Sequence, residues 1–107
     1  MLQLLPDIQQ YTTLTTSHTP FIIFKHSTRC SISDHACREV YETIENLNLE
    51  HIYLIDVITQ RDLSQHIAQD CGIRHESPQI LFFDATGNVY AHASHGQVNE
   101  RHIRHVL

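Results

Sequence analysis

Two short apolar runs on either side of one amphipathic segment constrain the fold of this chain most strongly. Residues 21–25 (FIIFK) and residues 51–58 (HIYLIDVI) are rich in β-branched and aromatic side chains, as is typical of strands buried on both faces of a sheet. Residues 31–48 between them carry apolar side chains at helical spacing, opposite a charged face. The apolar positions of this long helix are Cys37, Val40, Tyr41, Ile44 and Leu47. A strand, a helix and a strand in this order predict a right-handed βαβ unit with parallel strands.

The remaining segments complete a small α/β fold. They are a helix over residues 3–16, a second helix over 60–71, strands over 79–84 and 88–94, and a final helix over 97–107. The first of these helices is predicted from an apolar patch of Leu4, Leu5 and Ile8, with Pro6 in its first turn. The two strands flank a short turn that contains Gly87, which predicts an antiparallel hairpin.

The resulting element order is (α)βαβαββα, which is the thioredoxin-like arrangement of a βαβ half followed by a ββα half. We therefore predict a central four-stranded mixed sheet flanked by helices. At 107 residues, the chain is expected to form one thioredoxin-like domain over residues 1–107.

Composition excludes several classes of partner. The chain has seven Lys and Arg and twelve Asp and Glu, so its net charge is −5. This charge argues against a nucleic-acid partner, because proteins that bind nucleic acids usually carry a stripe of basic residues. No apolar run approaches the ~20 residues of a membrane helix, and the N-terminus MLQLLPDIQQ lacks the pattern of a signal peptide. Three Cys without paired spacing favour a reduced, cytoplasmic protein over a disulfide scaffold.

Cys30 is the candidate catalytic residue, because it follows the first buried strand and directly precedes the long helix. Free N–H groups and the positive end of the helix dipole stabilise an anion there, so the pKa of this thiol should lie below ~8.5. Three cationic side chains lie close by in sequence: Lys25, His26 and Arg29. Ser33 can donate a hydrogen bond to the thiolate, and residues 30–33 form a C-x-x-C pattern whose second Cys is replaced by Ser. The alternative is an inert, buried thiol.

Residues 75–79 (HESPQ) form a second motif, directly before the third predicted strand. In a thioredoxin-like fold, a cis-proline at this place lies opposite the N-terminus of the long helix. The residue before it presents backbone groups to an extended substrate. A cis X–Pro bond costs only ~0.5–1 kcal/mol, although a trans Pro78 at the start of an edge strand fits the spacing equally well.

Residues 24–33 (FKHSTRCSIS) together with residues 75–79 resemble the YtxJ-type monothiol bacilliredoxin family. The similarity runs from about residue 4 to residue 103. It implies a thioredoxin-like fold and the reduction of mixed disulfides between proteins and the low-molecular-weight thiol bacillithiol. The active-site Cys of the family maps onto Cys30, its replaced Cys onto Ser33 and its cis-proline onto Pro78. The family usually has Thr-Cys-Pro-Ile-Ser at this point, and here Ser31 replaces the Pro.

The resemblance also implies a mechanism and partners. The Cys30 thiolate attacks the small thiol's sulfur in a mixed disulfide, and a second small thiol or a partner reductase then frees Cys30. S-thiolated client proteins are the expected partners, with a low-molecular-weight thiol as co-substrate and no bound cofactor. The expected thiolate-stabilising residues are Arg29, Ser31, Ser33 and His26. The expected client-docking residues are His75, Ser77 and Pro78.

The other two cysteines are predicted to be structural. Cys37 lies seven residues after Cys30, roughly 10 Å along a helix, whereas a disulfide needs Cα atoms about 4.4–6.8 Å apart. A resolving role for Cys37 therefore requires the start of the helix to unwind, and it remains the alternative. Cys71 is the last apolar position of its helix, with a redox role as its alternative.

The ten histidines do not predict a metal centre. The closest pairs are His92 with His95 and His102 with His105. Two ligands alone make a weak zinc site, and the sequence has neither C-x-x-C nor H-E-x-x-H. The hypothesis that remains is that His26 and His75 tune the Cys30 thiolate.

Two other functions compete with this interpretation. A monothiol glutaredoxin-like protein that uses glutathione would share the single Cys and the proline, but residues 30–33 lack the usual Cys-Gly-Phe-Ser pattern. A non-catalytic binding module of the same fold would show an unperturbed thiol pKa near ~8.5. A phosphatase or arsenate reductase is excluded, because no C-x5-R loop follows Cys30.

Overall fold

The computed structural model describes residues 2–27 and 31–107, without the side chains of residues 31–33. The elements are β1 (Leu2–Leu4), α1 (Ile8–Thr15), β2 (Phe21–His26), α2 (Ser31–Leu47), β3 (Ile52–Asp56), α3 (Arg61–Cys71), β4 (Gln79–Phe83), β5 (Val89–Ser94) and α4 (Glu100–Val106). A short 3₁₀ turn, His95–Gln97, precedes α4. Within the described parts of the chain, no helix is both long enough and apolar enough to cross a membrane.

The strands form one mixed sheet in the order β1-β3-β2-β4-β5. β2 and β3 are parallel, as the predicted βαβ unit requires, and β1 adds to the other side of β3 in the same direction. β4 runs antiparallel to β2, and β5 runs antiparallel to β4. The predicted hairpin and the predicted mixed sheet are therefore both confirmed.

The sheet has five strands and not the predicted four, because the N-terminal segment is divided differently. Leu2–Leu4 pairs with β3 instead of beginning a helix, and the amide of Leu5 donates to the carbonyl of Leu54 at 2.9 Å. α1 begins only at Ile8, where the carboxylate of Asp7 accepts a hydrogen bond from the amide of Gln10. Pro6 thus lies before the helix and not in its first turn. The extra strand satisfies backbone groups at the edge of β3 that would otherwise lack partners.

The sheet separates two hydrophobic cores. We call its two sides the α2 face, which α2 and α4 cover, and the α3 face, which α1 and α3 cover. Side chains of β2 alternate between them: Ile22 and Phe24 belong to the α2 face, and Phe21 and Ile23 to the α3 face. All six residues of β2 are buried, which confirms that this strand is covered on both sides.

The apolar stripe of α2 differs from the prediction at one position. Val40 and Ile44 are buried and Leu47 packs against the same core, but Tyr41 is 48% exposed. Successive helical residues are ~100° apart, and the buried stripe is centred near Val40, so Tyr41 lies beyond its edge.

Candidate functional site

The candidate site lies at the end of the sheet that contains the carboxyl end of β2. Cys30 and Arg29 lie outside the described residues, as do the side chains of Ser31 and Ser33. Ser31 is the first residue of α2, so Cys30 directly precedes a 17-residue helix in the chain. The stabilisation of a Cys30 thiolate by Arg29, Ser31 and Ser33 remains a prediction.

The proline motif lies at the same end of the sheet. The Ser77–Pro78 peptide bond is cis. Gln79, the next residue, pairs with Lys25 across β4 and β2, so Pro78 lies beside the end of β2. The carbonyl oxygen of Pro78 accepts a hydrogen bond from the amide of His95 at 2.8 Å. The hydroxyl of Ser77 is buried and has no hydrogen-bond partner among the described residues.

Lys25 is a buried cation at the end of β2. It alternates with Ile23, so its side chain extends onto the α3 face. Its Nζ donates to the carbonyl oxygen of Ser64 at 3.1 Å, and the side chain has no exposed surface. Burial lowers the pKa of Lys25 to about 8, because the charged ammonium is desolvated. The sequence places this cation near Cys30, whereas the structure directs its ammonium towards α3.

His75 is tied to the same group. Its Nδ1 lies 2.9 Å from the hydroxyl of Ser64 and 3.5 Å from Nζ of Lys25. Because a charged ammonium has no acceptor, we assign Nδ1 as the acceptor towards Lys25, and the neutral ring then carries its proton on Nε2. Burial lowers the pKa of His75, and the nearby charges of Lys25 and Arg61 lower it further, while Glu76 raises it. The neutral, Nε2-protonated ring is therefore the favoured form.

His26 occupies the other face of the sheet. Its ring stacks on Phe24, with centroids 5.9 Å apart, and its backbone carbonyl accepts from the amide of Val57. The Nδ1 atom is buried without a hydrogen-bond partner in the part of the chain that the structure describes. His75 thus meets Lys25 and Ser64 on the α3 face, while His26 belongs to the α2 face. The described residues do not bring the two histidines together.

Sequence reasoning missed several polar residues at this end of the sheet. Ser64 is buried on α3, and Gln79 is buried in β4, where its side-chain amide donates to the carbonyl of Arg74 at 2.9 Å. Glu76 pairs with His95 at 3.1 Å. The sequence did contain a signal for such residues. A Lys and a Gln within otherwise apolar, fully buried strands are rare without a specific partner.

Cys37 and Cys71 are both free and half-buried. Cys37 packs on the α2 face and Cys71 on the α3 face, so the sheet separates them. Burial is the main cause that raises the pKa of each thiol. At neutral pH, both therefore stay mostly protonated and poorly nucleophilic.

Within the described residues, no three or more His, Cys, Asp or Glu side chains come together in a way that could hold a metal ion. Of the paired histidines, His95 is engaged by Glu76. His102 and His105 lie on α4, where His102 is half-buried and His105 is exposed.

A comparison with known protein families shows which family this chain belongs to. The family model described as monothiol bacilliredoxin BrxC matches residues 3–103. The chain belongs to this family. The match spans both Cys30 and Pro78, and the resemblance of residues 24–33 and 75–79 to bacilliredoxins is thereby confirmed.

Solved structures agree with this family. A thioredoxin-fold protein described as a candidate oxidoreductase superposes with a TM-score of 0.88 at 28% identity, over 97% of this bacilliredoxin chain and 91% of its own. A thioredoxin of Malassezia sympodialis gives a TM-score of 0.69 at 20% identity, with coverages of 99% and 87%. A thioredoxin of Trypanosoma brucei brucei gives 0.75 at 10% identity, with coverages of 99% and 90%. The fold is thus thioredoxin-like, and family and fold together support a thiol–disulfide redox role.

Proposed function

We propose that this bacilliredoxin removes a low-molecular-weight thiol of the bacillithiol type from protein mixed disulfides, with Cys30 as the nucleophile. The observation that carries the proposal is the family match over residues 3–103, which includes Cys30 immediately before α2. A helix start favours a thiolate over a thiol, and the thiolate is the attacking species. The reaction requires reduced thiols and therefore suits the cytoplasm.

The proposed reaction consists of two thiol–disulfide exchanges. In the first, the Cys30 thiolate attacks the small thiol's sulfur in the client mixed disulfide. A bond forms between Cys30 and the small thiol, the client disulfide breaks, and the client sulfur leaves with the electron pair and takes up a proton. In the second, another small-thiol thiolate attacks this adduct and releases Cys30 and the small-thiol disulfide. The two electrons that reduce the client come from the low-molecular-weight thiol, or from a partner reductase in its place.

The surrounding residues have separate roles in this proposal. Arg29, Ser31, Ser33 and His26 stabilise the thiolate, and Ser77, Pro78 and His75 dock the client. Pro78 lies beside the end of β2, the strand that leads to Cys30 in the chain, and this position supports a docking role. With Ser at position 33, no neighbouring thiol resolves the adduct. The raised pKa of Cys37 supports a structural role for that residue.

The test is intact-mass spectrometry of reduced protein mixed with a model client that carries bacillithiol or glutathione. We expect the wild type to gain one small-thiol adduct and to release the reduced client, and we expect Cys30→Ser to do neither. Cys37→Ser and Cys71→Ser are the matched controls, and both should react like the wild type.

Three outcomes of that measurement would count against the proposal. Full turnover by Cys30→Ser would remove Cys30 as the nucleophile. Transfer of glutathione in preference to bacillithiol would favour the glutaredoxin-like alternative. Absence of transfer with both thiols would favour a non-catalytic binding module.

A further inference from the structure

A cleft of about 370 Å³ opens beside the proline motif, on the α3 face. Its lining residues are Val57, Ile58, Arg61, Ser64, Gln65 and His75. They come from the loop after β3, the first turns of α3 and the segment that leads to Pro78. β2 ends at this same end of the sheet, and the chain then leads to Cys30, one residue before α2.

The charged side chain in the lining of this cleft and the one directly behind its wall are both cationic, Arg61 and Lys25. The ammonium of Lys25 lies directly behind its wall, bonded to the carbonyl of Ser64 and 3.5 Å from the ring of His75. Arg61 is exposed at its rim, close enough to lower the pKa of His75. Among the described residues, no carboxylate forms an ion pair with Lys25 or Arg61. An unpaired buried cation creates a positive potential that a bound anion can satisfy.

Three acidic groups near the cleft each have another contact. Glu76 points its carboxylate at His95, at 3.1 Å. Asp62 and Asp7 line a neighbouring depression, which Arg61 also borders. Asp56 accepts a hydrogen bond from the amide of Ile58 with its own side chain. Among the described residues, none of these three carboxylates forms an ion pair with Lys25 or Arg61.

The hydrogen-bonding groups also match an anion. Ser64 and Lys25 occupy Nδ1 of His75, so Nε2 of the neutral ring is a donor. Arg61 and Gln65 add guanidinium and amide donors to the lining. A planar carboxylate accepts from such donors with both oxygens, and a guanidinium can bind it through two parallel hydrogen bonds.

We propose that this cleft binds a carboxylate of the low-molecular-weight thiol while Cys30 exchanges with its sulfur. This inference rests on the proposed function and adds a substrate class: small thiols that carry a carboxylate some bonds away from the sulfur. Arg61 is the specificity-determining residue, and Lys25 and His75 supply the positive, donor-rich wall.

The kinetic test compares two mixed disulfides of one model client, with glutathione and with glutathione diethyl ester. These thiols have the same backbone and differ in the charge of their carboxyl groups. We expect the wild type to have a kcat/KM roughly tenfold higher or more for the glutathione mixed disulfide than for the ester mixed disulfide. This ratio corresponds to the free energy of one charge-assisted hydrogen bond. Arg61→Gln should lose most of this preference, because its kcat/KM falls more for the glutathione mixed disulfide than for the ester mixed disulfide. Arg104→Gln removes the same charge on α4, which covers the opposite face of the sheet, and it should behave like the wild type.

A binding measurement separates failure of this inference from failure of the proposed function. Cys30→Ser is titrated with S-methylglutathione and followed by NMR, which needs no redox reaction. We expect the amides of Ile58, Gln65 and His75 to shift, and we expect S-methylglutathione diethyl ester to leave them unchanged. Equal shifts with both compounds, or equal kcat/KM for acid and ester, would overturn the inference while leaving the thiol transfer intact. Absence of transfer by the wild type from both the bacillithiol and the glutathione mixed disulfides, with the shifts present, would overturn the proposed function alone.

Discussion

Lys25 has an unusual environment for a charged residue. It has no exposed surface, and its ammonium donates to one backbone carbonyl, that of Ser64. A buried ammonium without a carboxylate is destabilised relative to the neutral amine, which is why burial lowers its pKa from 10.5 to about 8. The protein therefore keeps this cation at neutral pH at a cost in stability, as functional sites often do.

The first prediction concerns the pH dependence that follows from Lys25. Between about pH 8 and pH 10.5, the unfolded chain binds more protons at this residue than the folded chain, so the free energy of unfolding rises with pH. Below pH 8 the full penalty applies, on the order of 3 kcal/mol for this shift. We expect Lys25→Met to be at least as stable as the wild type at pH 7. Its advantage should shrink between about pH 8 and pH 10.5.

Urea unfolding of both proteins across this range measures the effect. Titration of Tyr11, whose pKa burial raises, lowers stability at higher pH in both proteins and cancels in the difference. A stability difference between the two proteins that does not change with pH would show that Lys25 does not titrate in this range.

At the scale of elements, the turn between β4 and β5 packs against the end of α1. Gly87 adopts a left-handed conformation, with φ of +86°, and a Cβ added there would lie 2.5 Å from the carbonyl oxygen of Thr15. Asp84 shapes the turn, because its carboxylate accepts from the amides of Thr86 and Asn88. The packing of this hairpin against α1 therefore requires a glycine at position 87.

The second prediction is a graded series of glycine substitutions. Gly87→Ala should destabilise by at least about 2 kcal/mol, since it adds a backbone clash to the strain of a left-handed residue. Gly72→Ala has a φ of +75° but open space, so it should cost about 1 kcal/mol. Gly96→Ala also meets open space, and it should change stability by less than about 0.5 kcal/mol. Denaturant midpoints give this order, and equal losses at Gly87 and Gly72 would refute the contact with Thr15.

In the molecule as a whole, residues 2–5 form one edge of the sheet and also contribute to the core on the α3 face. Leu5 is buried in that core, its amide donates to Leu54, and its carbonyl accepts from the side chain of Gln60 at 2.6 Å. Gln60 directly precedes α3, which carries Ser64 and Arg61 of the cleft. The fifth strand therefore contributes to the position of the candidate site.

The third prediction tests this N-terminal packing. Leu5→Ala should destabilise by about 2–4 kcal/mol, because it opens a cavity in the α3 core. Leu4→Ala is the matched control, since Leu4 is 60% exposed and should lose less than about 0.5 kcal/mol. Equilibrium unfolding in urea measures both, and similar losses for the two variants would contradict the placement of this segment.

Sequence by itself determined the central elements and the family. β2, α2 and β3 are strongly patterned segments, and their periodicity and apolar character are local properties of the chain. The segments around Cys30 and Pro78 were sufficient to indicate the family, because their residue types and order are also read directly from the chain.

Only the tertiary structure decided β1, the burial of Lys25 and the cleft. Leu2–Leu4 is too short for any periodicity, and it becomes a strand because the edge of β3 offers it hydrogen bonds. Lys25 meets Ser64 and His75 across 39 and 50 positions of the chain, so no local pattern could pair them. The lowered pKa of Lys25 and the positive potential of the cleft follow from desolvation by these distant residues, and desolvation exists only once the chain has folded.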